Sequence, residues 1–210
     1  MSPPRLLPLV CPHCGEPLRS LQQDVVFACR ACGRFLEAVG ARFVERPGAT
    51  ARPRGPGRPS LHLPVWAFRV ESRWAWAEEA RPRPAADLPA ISCVYVTGFS
   101  LHNPAYFGDP GLIFTERQVE LQAGDPAPFV GCVRGQEMAG EYVASHLLTI
   151  LDRRMDVTGL ELTCRIVEAR VWAVPFVEKD GGVEDCILGL RLPAAALNDF
   201  AAMRALCQRW

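Results

Sequence analysis

Lysine is nearly missing from this chain: Lys179 is the only one, and arginine supplies the rest of the positive charge. Arginine, alanine, proline and glycine are all written by GC-rich codons, so the skew is read as a base-composition effect. Neither sign of charge is in excess. Lys+Arg and Asp+Glu each total 23, for a net charge of zero. Whole-protein attraction to nucleic acid or an anionic membrane is therefore not supported, and only a local basic patch would serve that purpose. Long apolar runs are missing as well. No stretch approaches the ~20 residues that span a bilayer, and the longest, such as Ile91–Val96 and Val171–Val177, are strand-length. Met1–Val10 lacks the charged start and apolar stretch of a signal peptide, and Pro3, Pro4 and Pro8 break any helix there. A cytoplasmic location is expected. Gly-x-Gly-x-x-Gly, the phosphate loop and the Gly-x-Ser-x-Gly elbow are all missing, so no reaction chemistry is assigned and a non-enzymatic role is favoured.

What is there begins with composition. Hydrophobic residues make up 49% and charged residues 22%, close to the soluble globular average, so a sizeable core is expected. Nine cysteines in a reducing compartment point to free thiols and metal ligands, not to a disulfide framework. Four of them are paired: Cys11-Pro-His-Cys14-Gly15 and Cys29-Arg-Ala-Cys32-Gly33. Two residues between cysteines let a tight turn aim both sulfurs at one point. The glycine after each pair supplies the left-handed backbone that closes the turn. Two such turns facing one another make the four-sulfur tetrahedron that zinc prefers. Pro17–Leu21 and Asp24–Ala28 suit a short hairpin, and Phe35–Phe43 continues the strand pattern.

On these cysteines and glycines, residues 9–45 resemble the zinc-ribbon (rubredoxin-like) class, which implies that Cys11, Cys14, Cys29 and Cys32 hold one metal ion. Members of this class occur in transcription factors, RNA polymerase subunits and ribosomal proteins, and as appendages on enzymes. The class therefore names a metal site, not a role. Structural zinc is expected, with iron and rubredoxin-like electron transfer as the alternative, because the same cage takes either metal. The gap between the pairs is shorter than in rubredoxins, and Phe27, Phe35 and Phe43 make a sparse aromatic shell. Four thiolates leave no open position for catalysis. His13 reads as an exposed loop residue.

Composition divides the chain into a ribbon (1–45), a Pro/Gly/Arg-rich linker (46–60) with no large apolar side chain, and a main domain (61–210). The fold class expected is α+β, a mainly antiparallel sheet with two or three helices. Leu61–Trp76 reads as one or two strands with Val65, Ala67 and Phe68 inward, and Ile91–Phe99 as a buried strand. Leu160–Val177 and Val183–Leu192 read as strands joined by a hairpin turn at Asp180-Gly-Gly182. An irregular insert covers Glu78–Pro89. Thr115-Glu-Arg-Gln118 has capping-box spacing and predicts a short helix to Gln122. Gln136–Leu151 is the clearest helix, and Pro193 opens a last one over Ala194–Arg209. Val65-Trp66 is echoed by Val171-Trp172, each at the head of a strand-rich stretch.

Weaker signals remain. Arg52-Pro-Arg-Gly-Pro-Gly-Arg58-Pro resembles an AT-hook whose core is split by an inserted Pro-Gly, which makes Arg52, Arg54 and Arg58 candidate nucleic-acid contacts, with a plain linker as the simpler reading. Cys93, Cys132, Cys164, Cys186 and Cys207 have no ligand spacing and read as small hydrophobes. Of these, only Cys132, beside Gly131 and ahead of Arg134, has a context that could activate a thiol. His62, His102 and His146 lack an obvious partner nucleophile, and Leu101–Gly111 is the loop best composed to line a site. Trp74 and Trp76, if on one face near Arg73, would suit a partner surface. The function expected is a zinc-binding adaptor or accessory subunit working through protein–protein contacts, with a nucleic-acid-binding ribbon protein as the alternative.

Overall fold

The computed structural model describes residues 7–55, 57–77 and 90–208. The expected insert Glu78–Pro89 and the end of the last expected helix, Arg209, lie outside the described residues. The chain is α+β. β1 (Val26–Ala28), β2 (Phe35–Val39) and β3 (Arg42–Arg46) form a small antiparallel sheet in chain order. The hairpin expected between Pro17–Leu21 and Asp24–Ala28 does not form. β1 pairs with β2 instead, Val26 opposite Glu37 and Ala28 opposite Phe35, while Pro17 bridges to Val10. Each of these two pairings closes around one Cys-x-x-Cys turn.

β4 (Gly48–Thr50), β5 (Leu61–Trp76), β6 (Cys93–Thr97), β7 (Leu160–Lys179), β8 (Gly182–Asp185) and β9 (Arg191–Pro193) make the main sheet, ordered β6-β5-β7-β8-β9. All pairings are antiparallel except β4, which runs parallel to β7. Leu61–Trp76 is a single long strand, bent by a bulge between Arg69 and Val70. Its alternation is blurred because both faces are covered. Val65 and Ala67 enter one core with Phe114, Phe176 and Met203, whereas Trp66 and Phe68 enter a second. The echoed dipeptides turn out to be neighbours: Val65 pairs with Trp172 and Trp66 with Val171. Each core therefore receives one tryptophan set against one valine, which keeps the two layers matched in volume. At the β7–β8 turn, Asp180 and Gly181 both take positive φ, 47° and 77°, as the Asp-Gly-Gly motif demands.

The helices are α1 (Pro104–Phe107, one turn), α2 (Pro110–Glu116), α3 (Gln136–Asp152) and α4 (Phe200–Gln208). α3 follows its predicted span, with Ala139, Val143, Leu147 and Ile150 buried on the second core. The capping-box reading needs correction. The helix begins at Asp109-Pro110, where the Asp109 carboxylate accepts the Gly111 N–H at 2.8 Å, and it ends where one was expected to start. Thr115 and Gln118 cap a strand edge instead. The Tyr95 N–H donates to the Thr115 hydroxyl at 2.7 Å, and the Gln118 amide donates to the Cys93 carbonyl at 2.9 Å. The last helix is also shorter than predicted. After the 3-10 turn Ala194–Ala196 the chain extends, Leu197 bridges to Leu101, and Asp199 takes φ 57° before α4 starts. Val183–Leu192 is two strands, not one. The buried Asp185 accepts N–H groups of Ile187, Leu188 and Leu190 and folds the segment between them into a loop.

The segment 46–60 is not wholly solvated. Gly48–Thr50 lies in the sheet, and Ala51 is fully buried, its N–H bonded to the Ala173 carbonyl at 2.9 Å. A Cβ at Gly48 would run into the Phe35 ring, so glycine is what lets β4 pass beneath β2. The ribbon is accordingly docked, not tethered: Val26, Ala28 and Phe35 belong to the second core, and Phe35 stacks edge-on against Phe129 at 5.2 Å. Among the described residues no helix is long and apolar enough to cross a membrane.

Candidate metal centre

Cys11, Cys14, Cys29 and Cys32 converge as the ribbon class implies. Their four sulfurs lie within 4.8 Å of one another, with Cys11–Cys32 at 3.7 Å and Cys14–Cys29 at 3.4 Å. A tetrahedron with Zn–S bonds near ~2.3 Å has edges of about 3.8 Å. The sulfurs are thus near the spacing a single ion needs, and too far apart to be disulfide-bonded. All four are free thiols.

The two turns are built alike. Gly15 N–H donates to the Cys11 carbonyl at 2.9 Å and Gly33 N–H to the Cys29 carbonyl at 2.8 Å, with the glycines at φ 77° and 72°. Cys11 N–H then reaches the Glu16 carbonyl and Cys29 N–H that of Arg34, both at 2.9 Å. Backbone amides are thereby turned toward the sulfurs. Burial opposes a thiolate at Cys11, but the N–H groups of His13 and Cys14 outweigh it and hold this thiol down, at about 7. Burial pushes the Cys29 thiol up, against the N–H groups of Cys32 and Ala31. Oriented amides of this kind spread the charge of four thiolates around a cation.

Cys11 and Cys29 are buried with Leu18, Phe27 and Leu36, while Cys14 and Cys32 face solvent. Phe27 and Phe43 meet edge-on at 5.7 Å beside them. Phe35, the third ring of the expected shell, turns away to Phe129, so the aromatic surround is thinner than the sequence implied. His13 is exposed and sits 3.2 Å from Glu45 through Nε2, and Arg34 donates to both Glu45 oxygens at 2.7 Å. His13 therefore pairs with a carboxylate rather than supplying another ligand.

The other candidates fall into place around the main sheet. Arg54 donates to the Glu120 carbonyl at 2.6 Å and so helps hold its own segment, while Arg52 and Arg58 are exposed. Cys132 is fully buried and its thiol is pushed well above the ordinary range by that burial, the reverse of activation. His62 is buried near the Pro128 carbonyl, and burial lowers its pKa to about 4. His146 is buried in α3, Nδ1 at 3.0 Å from the Tyr95 carbonyl and Nε2 at 3.8 Å from Asp109. His102 is exposed in the Leu101–Gly111 loop. Trp74 and Trp76 share a face of β5, opposite Leu162 and Leu160, and Arg73 points to the other face.

Sequence reasoning passed over Glu37, and took Arg134 only as a neighbour of Cys132. Glu37 is a buried acid in the run Phe35–Leu36–Glu37, taking 2.6 Å from Arg46 Nε and 3.1 Å from the Gln136 N–H. A carboxylate inside an otherwise apolar strand was the available signal. Arg134 donates to the Thr97 and Phe99 carbonyls at 2.8 and 3.0 Å, and its guanidinium lies 5.4 Å from the Tyr142 ring centre. Comparison with family models, curated proteins and solved structures finds no match to this chain.

Proposed function

We propose that this protein is a non-enzymatic zinc-binding adaptor or accessory subunit that acts through protein–protein contacts in the cytoplasm. The observation that carries the reading is the closed set of four cysteine sulfurs on two amide-lined turns. Such a set satisfies a tetrahedral ion entirely, which suits a structural metal and leaves no position for a substrate. Zinc is preferred over iron because the aromatic surround is sparse, Phe27 and Phe43 among the described residues. Of the groups a catalytic reading would draw on, Cys132, His62 and His146 are buried and His102 is exposed. The ribbon leaves Leu9, Val10 and Val39 exposed, and the main domain leaves Tyr106, Met138 and Tyr142 exposed, side chains of the kind that anchor partner contacts.

Metal analysis of the natively purified protein, with identification of whatever co-purifies, tests both halves. One zinc per chain in a colourless protein held in a larger complex is the expected result. A red protein with visible absorbance would replace zinc by iron, and a solitary monomer would remove the adaptor. Retention on DNA or RNA that falls with salt and is lost in Arg52→Ala with Arg58→Ala would replace the reading with nucleic-acid binding.

A further inference from the structure

The segment 131–136, which leads into α3, is gripped at both ends by the ribbon. Val25 and Val26 N–H groups both donate to the Cys132 carbonyl, at 2.7 and 3.2 Å, and Cys132 N–H returns to the Val26 carbonyl at 3.0 Å. One step earlier, Gly131 lies against the Asp24 carboxylate, and a Cβ there would collide with it. At the far end Glu37 accepts the Gln136 N–H at 3.1 Å and lies against Gly135, the residue before α3. Gly135 has no side chain with which to cap its own helix. Glu37, from the next sheet, supplies the oxygen that a Ser or Asp would ordinarily provide at that end, and its charge suits the helix dipole. From the other side, Arg134 holds the segment to the end of β6, and the Trp66 indole N–H donates to the Arg134 carbonyl at 3.0 Å.

We infer that the ribbon is a metal-governed clamp on the start of α3. The inference rests on the reading of the four cysteines as a metal site. Of the clamp's ribbon residues, Asp24, Val25 and Val26 lie between Cys14 and Cys29, and Glu37 follows Cys32 on β2, where it pairs with Val26. A module this small draws its folding energy from the ion, so its grip on 131–136 is present with metal and slackens without it. Release frees the first turn of α3, which carries the exposed Met138, while β8 and β9, which pair with β7 and with each other, keep their pairing. Metal occupancy is thereby converted into order or disorder at one end of one helix.

Hydrogen exchange read by mass spectrometry on the full chain tests this in three samples: as purified, after chelation with metal loss measured independently, and metal-loaded Glu37→Ala. Amides of Cys132 and Gln136–Ala139 are expected to exchange at least tenfold faster after chelation, with Val183–Asp185 changed far less. In Glu37→Ala the acceleration is confined to Gln136–Ala139, with metal content unaltered. If the purified chain binds no metal, the reading of the cysteines fails and the metal-governed clamp falls with it. If metal leaves and Gln136–Ala139 exchange as before, or if every strand accelerates equally, the clamp is overturned while the metal site stands.

Discussion

At the seam between ribbon and sheet, Asp24 carries a carboxylate where few charges are tolerated. Its one oxygen accepts the Leu21 N–H at 2.6 Å, and the other is buried with no partner among the described residues. Burial raises its pKa from the usual 3.8 to about 6, against the pull of the Leu21 and Gly131 amides. The folded state therefore holds this proton more tightly than the unfolded state does. The stability it contributes is full below about pH 4 and is lost as pH rises through 6. Replacing the acid by its uncharged amide keeps the shape and removes the dependence. Asp24→Asn is expected to raise the melting temperature by a few degrees at pH 8 and by much less at pH 4, as read by thermal denaturation at both pH values. An equal gain at both would contradict the assignment. Nothing in the sequence marked Asp24, because its burial comes from Gly131, over a hundred positions away.

Elements show where composition is a good guide and where it misleads. α3 was legible because its apolar stripe repeats at helical spacing, and the β7–β8 turn because Asp-Gly-Gly dictates its backbone. β4 was not legible. A stretch of Arg, Pro, Gly and Ala looks unable to pack, yet Gly48 and Ala51 fit because they are small: one passes under Phe35 and the other fills a site sealed by the sheet. The prediction follows directly. Ala51→Asp, buried without a partner, is expected to destabilise the protein by about 3 kcal/mol or more. The same change at exposed Gly57 should have little effect, both measured by urea unfolding. Comparable midpoints for the two variants would mean that residues 48–51 are linker after all. α2 was misplaced for a related reason. Thr115 and Gln118 have capping chemistry, and sequence spacing alone does not say whether a helix or a strand edge receives it.

For the molecule as a whole, the cysteine cluster was the most legible feature, since ligand spacing and turn glycines are both local. The joint between ribbon and domain was hidden, because its contacts link residues about a hundred positions apart, such as Glu37 and Gln136 or Val26 and Cys132. The composition of 46–60 suggested a tether, whereas the second core runs through both parts without a break. Ribbon and main sheet consequently share one core.

Native mass spectrometry of the full chain, with thiol alkylation of the same sample, tests the central claim most directly. The account predicts one divalent ion per chain, four cysteines protected from alkylation, and loss of both ion and protection in Cys29→Ser. A metal-free chain in which Cys11, Cys14, Cys29 and Cys32 all alkylate freely, or are recovered as disulfides, would contradict it.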